Sequence, residues 1–149
     1  MATQFNLTPV YKTTLVRETS IKTRPQVSGS ERAREVAMSL LGNSPNEQLI
    51  AIALDLKSRV IGAYVITSGT IDASLVHPRE AFRAAILLNA ASIVIAHNHP
   101  SGDLTPSRQD WAVYEQMKKA GELLGIAIHD SIIVSDTDSL SMAEECLHA

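Results

Sequence analysis

The spacing of apolar residues changes several times along the chain, and each change marks an element. After the stretch "TRPQVSGS" at 23–30, apolar residues fall at Ala33, Val36, Ala37, Leu40 and Leu41, one stripe of a 3.6-residue period. Ser28 and Glu31 fit a capping box ahead of it and Gly42 supplies a stop, which predicts a helix. The block "EQLIAIALDLKSRVIGAYVITSG" then holds two short, β-branched apolar runs with turn residues near Leu56 to Arg59, the pattern of two strands in a hairpin. "VHPREAFRAAILLNAAS" returns to helical spacing with Pro78 in the first turn. "IVIA" at 93–96 is short and wholly apolar, as in a strand buried on both faces, and it sets His97 at a strand end. From Thr105 the spacing is helical, with Pro106 at the first position and Val113, Met117, Ala120 and Leu124 on one face until Gly125. Trp111 and Tyr114 belong to the packing of that helix, and "IAIHDSIIV" predicts one more strand.

Strands alternating with helices define an α/β (α+β) domain, a mixed sheet covered by helices. Residues 28–149 make up that domain, while residues 1–27 read as an N-terminal arm or edge strand, weakly alternating over 9–22. Composition narrows the class. No apolar run approaches the ~18 residues of a membrane span, and the N-terminal "MATQFNLTPVYKTTLVRE" lacks the charged-then-apolar order of a secretory signal. The expectation is a cytoplasmic protein with no membrane partner. Cys146 is the single cysteine, so a transition-metal site here draws on imidazole and carboxylate. The net charge is −3, uneven along the chain: residues 1–44 carry +3 and the remainder −6. That balance is a poor footprint for a phosphate-binding surface and favours a solvated face.

The candidate chemistry lies in "AHNHPSGDLTPSRQD", residues 96–110. In extended backbone, residues two apart point to one face, so His97 and His99 can present two imidazoles to one point. Asp110, about a turn into the next helix, can add a carboxylate if the Pro-Ser-Gly loop folds back. Two histidines and a carboxylate leave the fourth tetrahedral position for water, as in catalytic zinc sites. A second reading stands beside this one. Ser107 and Asp110 also match a capping box, and a histidine at a strand end can simply bond a loop carbonyl. The letters "HNH" at 97–99 are not the dispersed residues of an HNH nuclease, and neither H-E-x-x-H nor P-C-x-x-C occurs.

The arrangement E…H-x-H-P-x(6)-S-x-x-D resembles the JAMM motif of the JAB/MPN metalloprotease domain, and "HNHPSGDLTPSRQD" is similar to its bacterial RadC-like branch. "SLVHPREAFRAAI" and "GIAIHDSIIV" fall where that branch has similar segments, so the resemblance covers about residues 28–137. It implies a JAB/MPN-like, cytidine-deaminase-like mixed sheet flanked by helices. It implies zinc, Zn2+, held by His97, His99 and Asp110, with Glu47 of "PNEQLIAIAL" as general acid/base and Ser107 steadying the tetrahedral intermediate. Without the resemblance, Glu47 reads as an exposed acid ahead of a strand. One departure is visible: the branch usually carries an Asp-His pair where this chain has Asp130 followed by Ser131, with His129 on the other side. His77 reads as a helix-start residue or, less simply, as one lining the cleft. Longer relatives also carry an N-terminal helix-hairpin-helix region suited to DNA, for which this chain has no room.

Three functions follow from these residues. The leading one is a zinc-dependent peptidase or isopeptidase acting on a protein or peptide with a scissile amide. The second is a DNA-repair-associated accessory protein, favoured by the +3 N-terminal segment and opposed by the acidic remainder. The third is a catalytically silent MPN scaffold, opposed by the intact motif. The oligomeric state stays open, since residues 9–25 could pair with another copy.

Overall fold

Two of the most apolar runs in the chain lie side by side at the centre of a sheet. They are β1 (Gln48–Leu54), buried from Leu49 onward, and β3 (Ser92–Asn98), buried throughout. The structure, a computed structural model, describes residues 12, 15 and 24–148. β2 (Val60–Ser68), β4 (Ala127–Val134) and β5 (Ser139–Ser141) complete a five-stranded sheet in the order β2-β1-β3-β4-β5. β1 is antiparallel to both neighbours, β3 and β4 are parallel, and β5 returns antiparallel to β4. The helices are α1 (Ser30–Leu41), α2 (Pro78–Leu87), α3 (Arg108–Leu124) and α4 (Met142–His148). None of the described helices is long and apolar enough to cross a membrane.

The period-2 alternation of the strands divides the core in two. Leu49, Ala51, Ala53, Ile93 and Ile95 point to one face, where Phe82 of α2 and Val113 and Met117 of α3 cover them. Ile50, Ile52, Leu54, Val94 and Ala96 point to the other, against Val36, Ala37 and Leu41 of α1. Each fully buried side chain of this size contributes roughly 1.5–3 kcal/mol. His97 continues the Ile93–Ile95 series, so it faces the α2/α3 side where that layer ends.

Several expectations need correction. α1 begins at Ser30 with Gly29 as its N-cap and no side-chain cap, so Ser28 and Glu31 form no capping box. The Ser30 hydroxyl instead donates to the Glu144 carboxylate of α4, a tertiary partner that local spacing does not reveal. α3 begins at Arg108, because Ser107 takes the N-cap, and Pro106 precedes the helix rather than occupying its first position. Leu124 is half exposed; Gly121 lies on the buried side near the helix end, where a Cβ would stand 2.3 Å from the Ile126 carbonyl oxygen. β5 had no counterpart in the hydropathy pattern, being three residues long. The expected arm or edge strand over 1–27 falls largely outside the described residues. Within them, Gln26 makes an antiparallel bridge with Arg59.

Asp130 shows how β4 anchors the C-terminal helix. Its buried carboxylate accepts from the Ser141 hydroxyl at 2.6 Å and from the Ala143 N–H at 3.0 Å. Burial pushes its pKa up, and the nearby Glu144 adds to the rise, against three hydrogen bonds that pull it down. An unfolded aspartate titrates near 3.9. The folded chain therefore holds the extra proton above that pH, and the associated stability is lost as pH rises through the folded value. Asp130→Asn is expected to flatten this slope, so wild type should lose melting temperature relative to the variant from about pH 4 upward. Parallel pH profiles of melting temperature for the two proteins would rule this out.

Candidate metal centre

The turn after β3 aims the second histidine. His99 donates from Nδ1 to the Asp103 carbonyl at 2.7 Å, and Gly102, at φ 84°, supplies the left-handed residue that brings the loop back. Because a carbonyl can only accept, the neutral His99 ring keeps its proton on Nδ1 and leaves an open lone pair on Nε2. The loop then enters α3 through a complete capping box. The Ser107 hydroxyl accepts from the Asp110 N–H at 3.1 Å, and the Asp110 Oδ2 accepts from the Ser107 N–H at 2.7 Å.

The same carboxylate meets both imidazoles. His97 Nε2 stands 3.0 Å from Asp110 Oδ1, His99 Nε2 stands 3.3 Å from Asp110 Oδ2, and the two Nε2 atoms are 3.0 Å apart. Donors about 2.0–2.2 Å from one tetrahedral zinc stand roughly 3.2–3.6 Å from each other. The three separations found here come within a few tenths of an ångström of that. The chemistry of the donors agrees: a carboxylate and an unprotonated Nε2 are both acceptors, and they converge stably only on a cation, either a shared proton, as in a hydrogen bond between them, or a metal ion. Burial would push the Asp110 carboxyl up, but its hydrogen bonds with His97 and His99 outweigh this and hold it well below the usual range. His99 is raised, first by its hydrogen bond with Asp110, against the effect of burial. The cluster can hold a divalent metal ion with imidazole and carboxylate ligands.

Glu47 reaches this site through strand register. Leu49 pairs with His97 across β1 and β3, and in an antiparallel pair two residues back on one strand faces two residues on along the other. Glu47 and His99 therefore share an end of the sheet on the α2/α3 face. Both line an open cleft of about 350 Å³, with Pro100, Ser101, Asp103 and Thr105, and the Glu47 charge is among those raising His99. Ser107 is exposed at the entrance to α3. Its oxygen accepts the Asp110 N–H, which leaves the hydroxyl proton free to be donated.

Other residues with chemical potential lie apart. His77 is the exposed N-cap residue of α2 without a side-chain capping bond. His129 lines a different cavity, with Asp130, Glu144 and the start of α1. Cys146 is exposed on α4. The residue that sequence reading missed is Asn98, between the two histidines, whose alternation turns it to the opposite face of β3.

A mixed sheet flanked by helices, with a His-His-Asp cluster where its third strand ends, fits the class of JAB/MPN-like domains. The chain belongs to the RadC-like JAB domain family, which matches residues 27–147. A relative named "UPF0758 protein" from Finegoldia magna is 47% identical over 108 residues, covering 72% of this chain and 48% of its own length. One of the same name from Thermotoga maritima is 50% identical over 94 residues, covering 63% and 42%. Another from Staphylococcus carnosus is 38% identical over 124 residues, covering 83% and 55%. The chain thus spans about half the length of the curated relatives it matches.

Proposed function

We propose that this chain is a zinc metallohydrolase that cleaves an amide bond in a protein or peptide. The observation that carries this reading is the convergence of His97, His99 and Asp110 beside an open cleft that Glu47 also lines. His97, His99 and Asp110 would hold the ion. When bound, zinc supplies a Lewis acid that brings the pKa of water to about 7 and polarises a carbonyl. The Glu47 carboxylate takes a proton from the attacking water and returns it to the leaving nitrogen, the two halves of general acid/base work. The Ser107 hydroxyl donates its free proton to the oxygen that becomes negative in the tetrahedral state. The 350 Å³ cleft is open to solvent, so it admits an extended segment of a larger substrate.

Removal and return of the metal tests the reading. Purified protein carrying about one zinc per chain is expected to cleave members of a quenched fluorescent peptide library. Chelation should abolish cleavage, and added zinc should restore it. A fully zinc-loaded, folded protein that cleaves nothing in the library, nor any isopeptide-linked conjugate, would overturn it.

A further inference from the structure

Asn98 is a polar side chain in the buried body of β3, with 3% of its surface exposed. It lies between the two histidines, so alternation points it away from them, toward the face that α1 covers. The chain leaving α1 must climb from that face back to the end of the sheet to begin β1, and Asn98 meets it there. Its Oδ1 accepts from the Gln48 N–H at 2.8 Å. Its Nδ2 donates to the Asn46 carbonyl at 2.9 Å and to the Ser44 carbonyl at 3.4 Å. The bonded backbone groups thus bracket Glu47 on both sides, and on its other flank the Glu47 carbonyl accepts from the Gly69 N–H at 2.8 Å.

We infer that Asn98 is a positioning residue that holds the Glu47 backbone in register with the metal-ligand strand. The inference rests on the metallohydrolase reading for its functional meaning, though the clamp itself is a matter of hydrogen bonds. Both imidazoles and the clamp belong to one three-residue segment at the end of β3, so one short stretch of backbone relates the metal-ligand pair to the Glu47 backbone. Asparagine suits the task because its amide offers an acceptor for one N–H and donors for two carbonyls at once. Aspartate has nearly the same shape but would turn a carboxylate oxygen on the carbonyls of Asn46 and Ser44.

The test compares wild type, Asn98→Ala and Asn98→Asp. In metal-free protein the Gln48 amide is expected to exchange about tenfold faster in Asn98→Ala, with the amides of Ile52 and Ile95 unchanged. Unaltered exchange at Gln48 overturns the clamp whether or not metal binds. With zinc added, the 13C-labelled carboxyl carbon of Glu47 should shift in wild type and much less in both variants, while the His99 ring resonances move as in wild type. A full Glu47 shift in both variants overturns the inference. Histidine rings indifferent to zinc in wild type would instead refute the metal reading, with Gln48 exchange still deciding the clamp. In peptide cleavage, Asn98→Ala should lower kcat about a hundredfold with KM nearly unchanged, and should add nothing in a Glu47→Gln background. Equal losses in both backgrounds would mark a merely structural role.

Discussion

Asp110→Ala is expected to strip the protein of zinc and to lower its melting temperature together. The carboxylate bridges His97 and His99 and also closes the α3 capping box, so truncation removes two functions in one step. Losing the side-chain half of the box costs about 1 kcal/mol, and the buried His97 and half-buried His99 imidazoles are left with no anion between them. For a chain of this size that cap loss corresponds to a drop of roughly 2–4 °C, with the unpaired histidines adding to it. Asp110→Asn separates the two roles. Its amide oxygen can still accept from the Ser107 N–H, so it should keep most of the stability while failing to hold the ion. Elemental analysis and thermal unfolding of the two variants decide the matter. Full zinc content in Asp110→Ala would remove this residue from the ligand set.

Glu47→Gln should give the complementary result, with zinc retained and cleavage nearly gone. Glutamine preserves the length of the side chain and the register of β1, but it can neither take a proton from water nor return one to a leaving nitrogen. General acid/base groups contribute about 10²–10⁴-fold, and a loss of that order in kcat with zinc still near one per chain is expected. The separation is the diagnostic point, because Glu47 approaches His99 through space but makes no hydrogen bond to any of the three ligands. Cleavage at the wild-type rate would assign proton transfer to another group. Cleavage and zinc lost together would make Glu47 part of the metal's support instead.

Periodicity alone made much of this fold legible. β1 and β3 hold continuous apolar runs because both of their faces are covered, and such runs leave an unambiguous trace; β4 keeps only a shorter one at its end, Ile132 to Val134, after the polar His129, Asp130 and Ser131. Elements held by tertiary partners were less visible. α1 starts where Ser30 finds Glu144, more than a hundred residues away, and no local cap announces it. At the site, His97 and His99 were readable because a strand's own alternation brings them together. Capping box and ligand stood as rival readings of Ser107 and Asp110; the box is formed, and it leaves room for the other reading, because a carboxylate has two oxygens, and Oδ2 meets the Ser107 N–H while both face imidazoles. Glu47 was beyond spacing arguments. Its place beside His99 follows from the Leu49–His97 register between strands distant in sequence; the resemblance pointed to Glu47 as an acid/base group, and the folded sheet adds that it shares a cleft with His99. Asn98 was hidden for the same reason, its partners being backbone groups of a distant loop.

The three residues of the candidate metal site differ in how far apart they stand along the chain, and thermodynamic linkage turns that difference into something measurable. His97 and His99 are near neighbours in sequence and form a weak local chelate even in a denatured chain. Asp110 joins them only when the loop turns back and α3 is capped. Ligand that binds both folded and unfolded forms stabilises a protein by the difference between the two affinities, not by the whole of the tighter one. The rise in unfolding free energy with zinc concentration would therefore report chiefly what the carboxylate adds to the pair of imidazoles. On the metallohydrolase reading, a cell that starves this protein of metal loses that increment of conformational stability along with the activity.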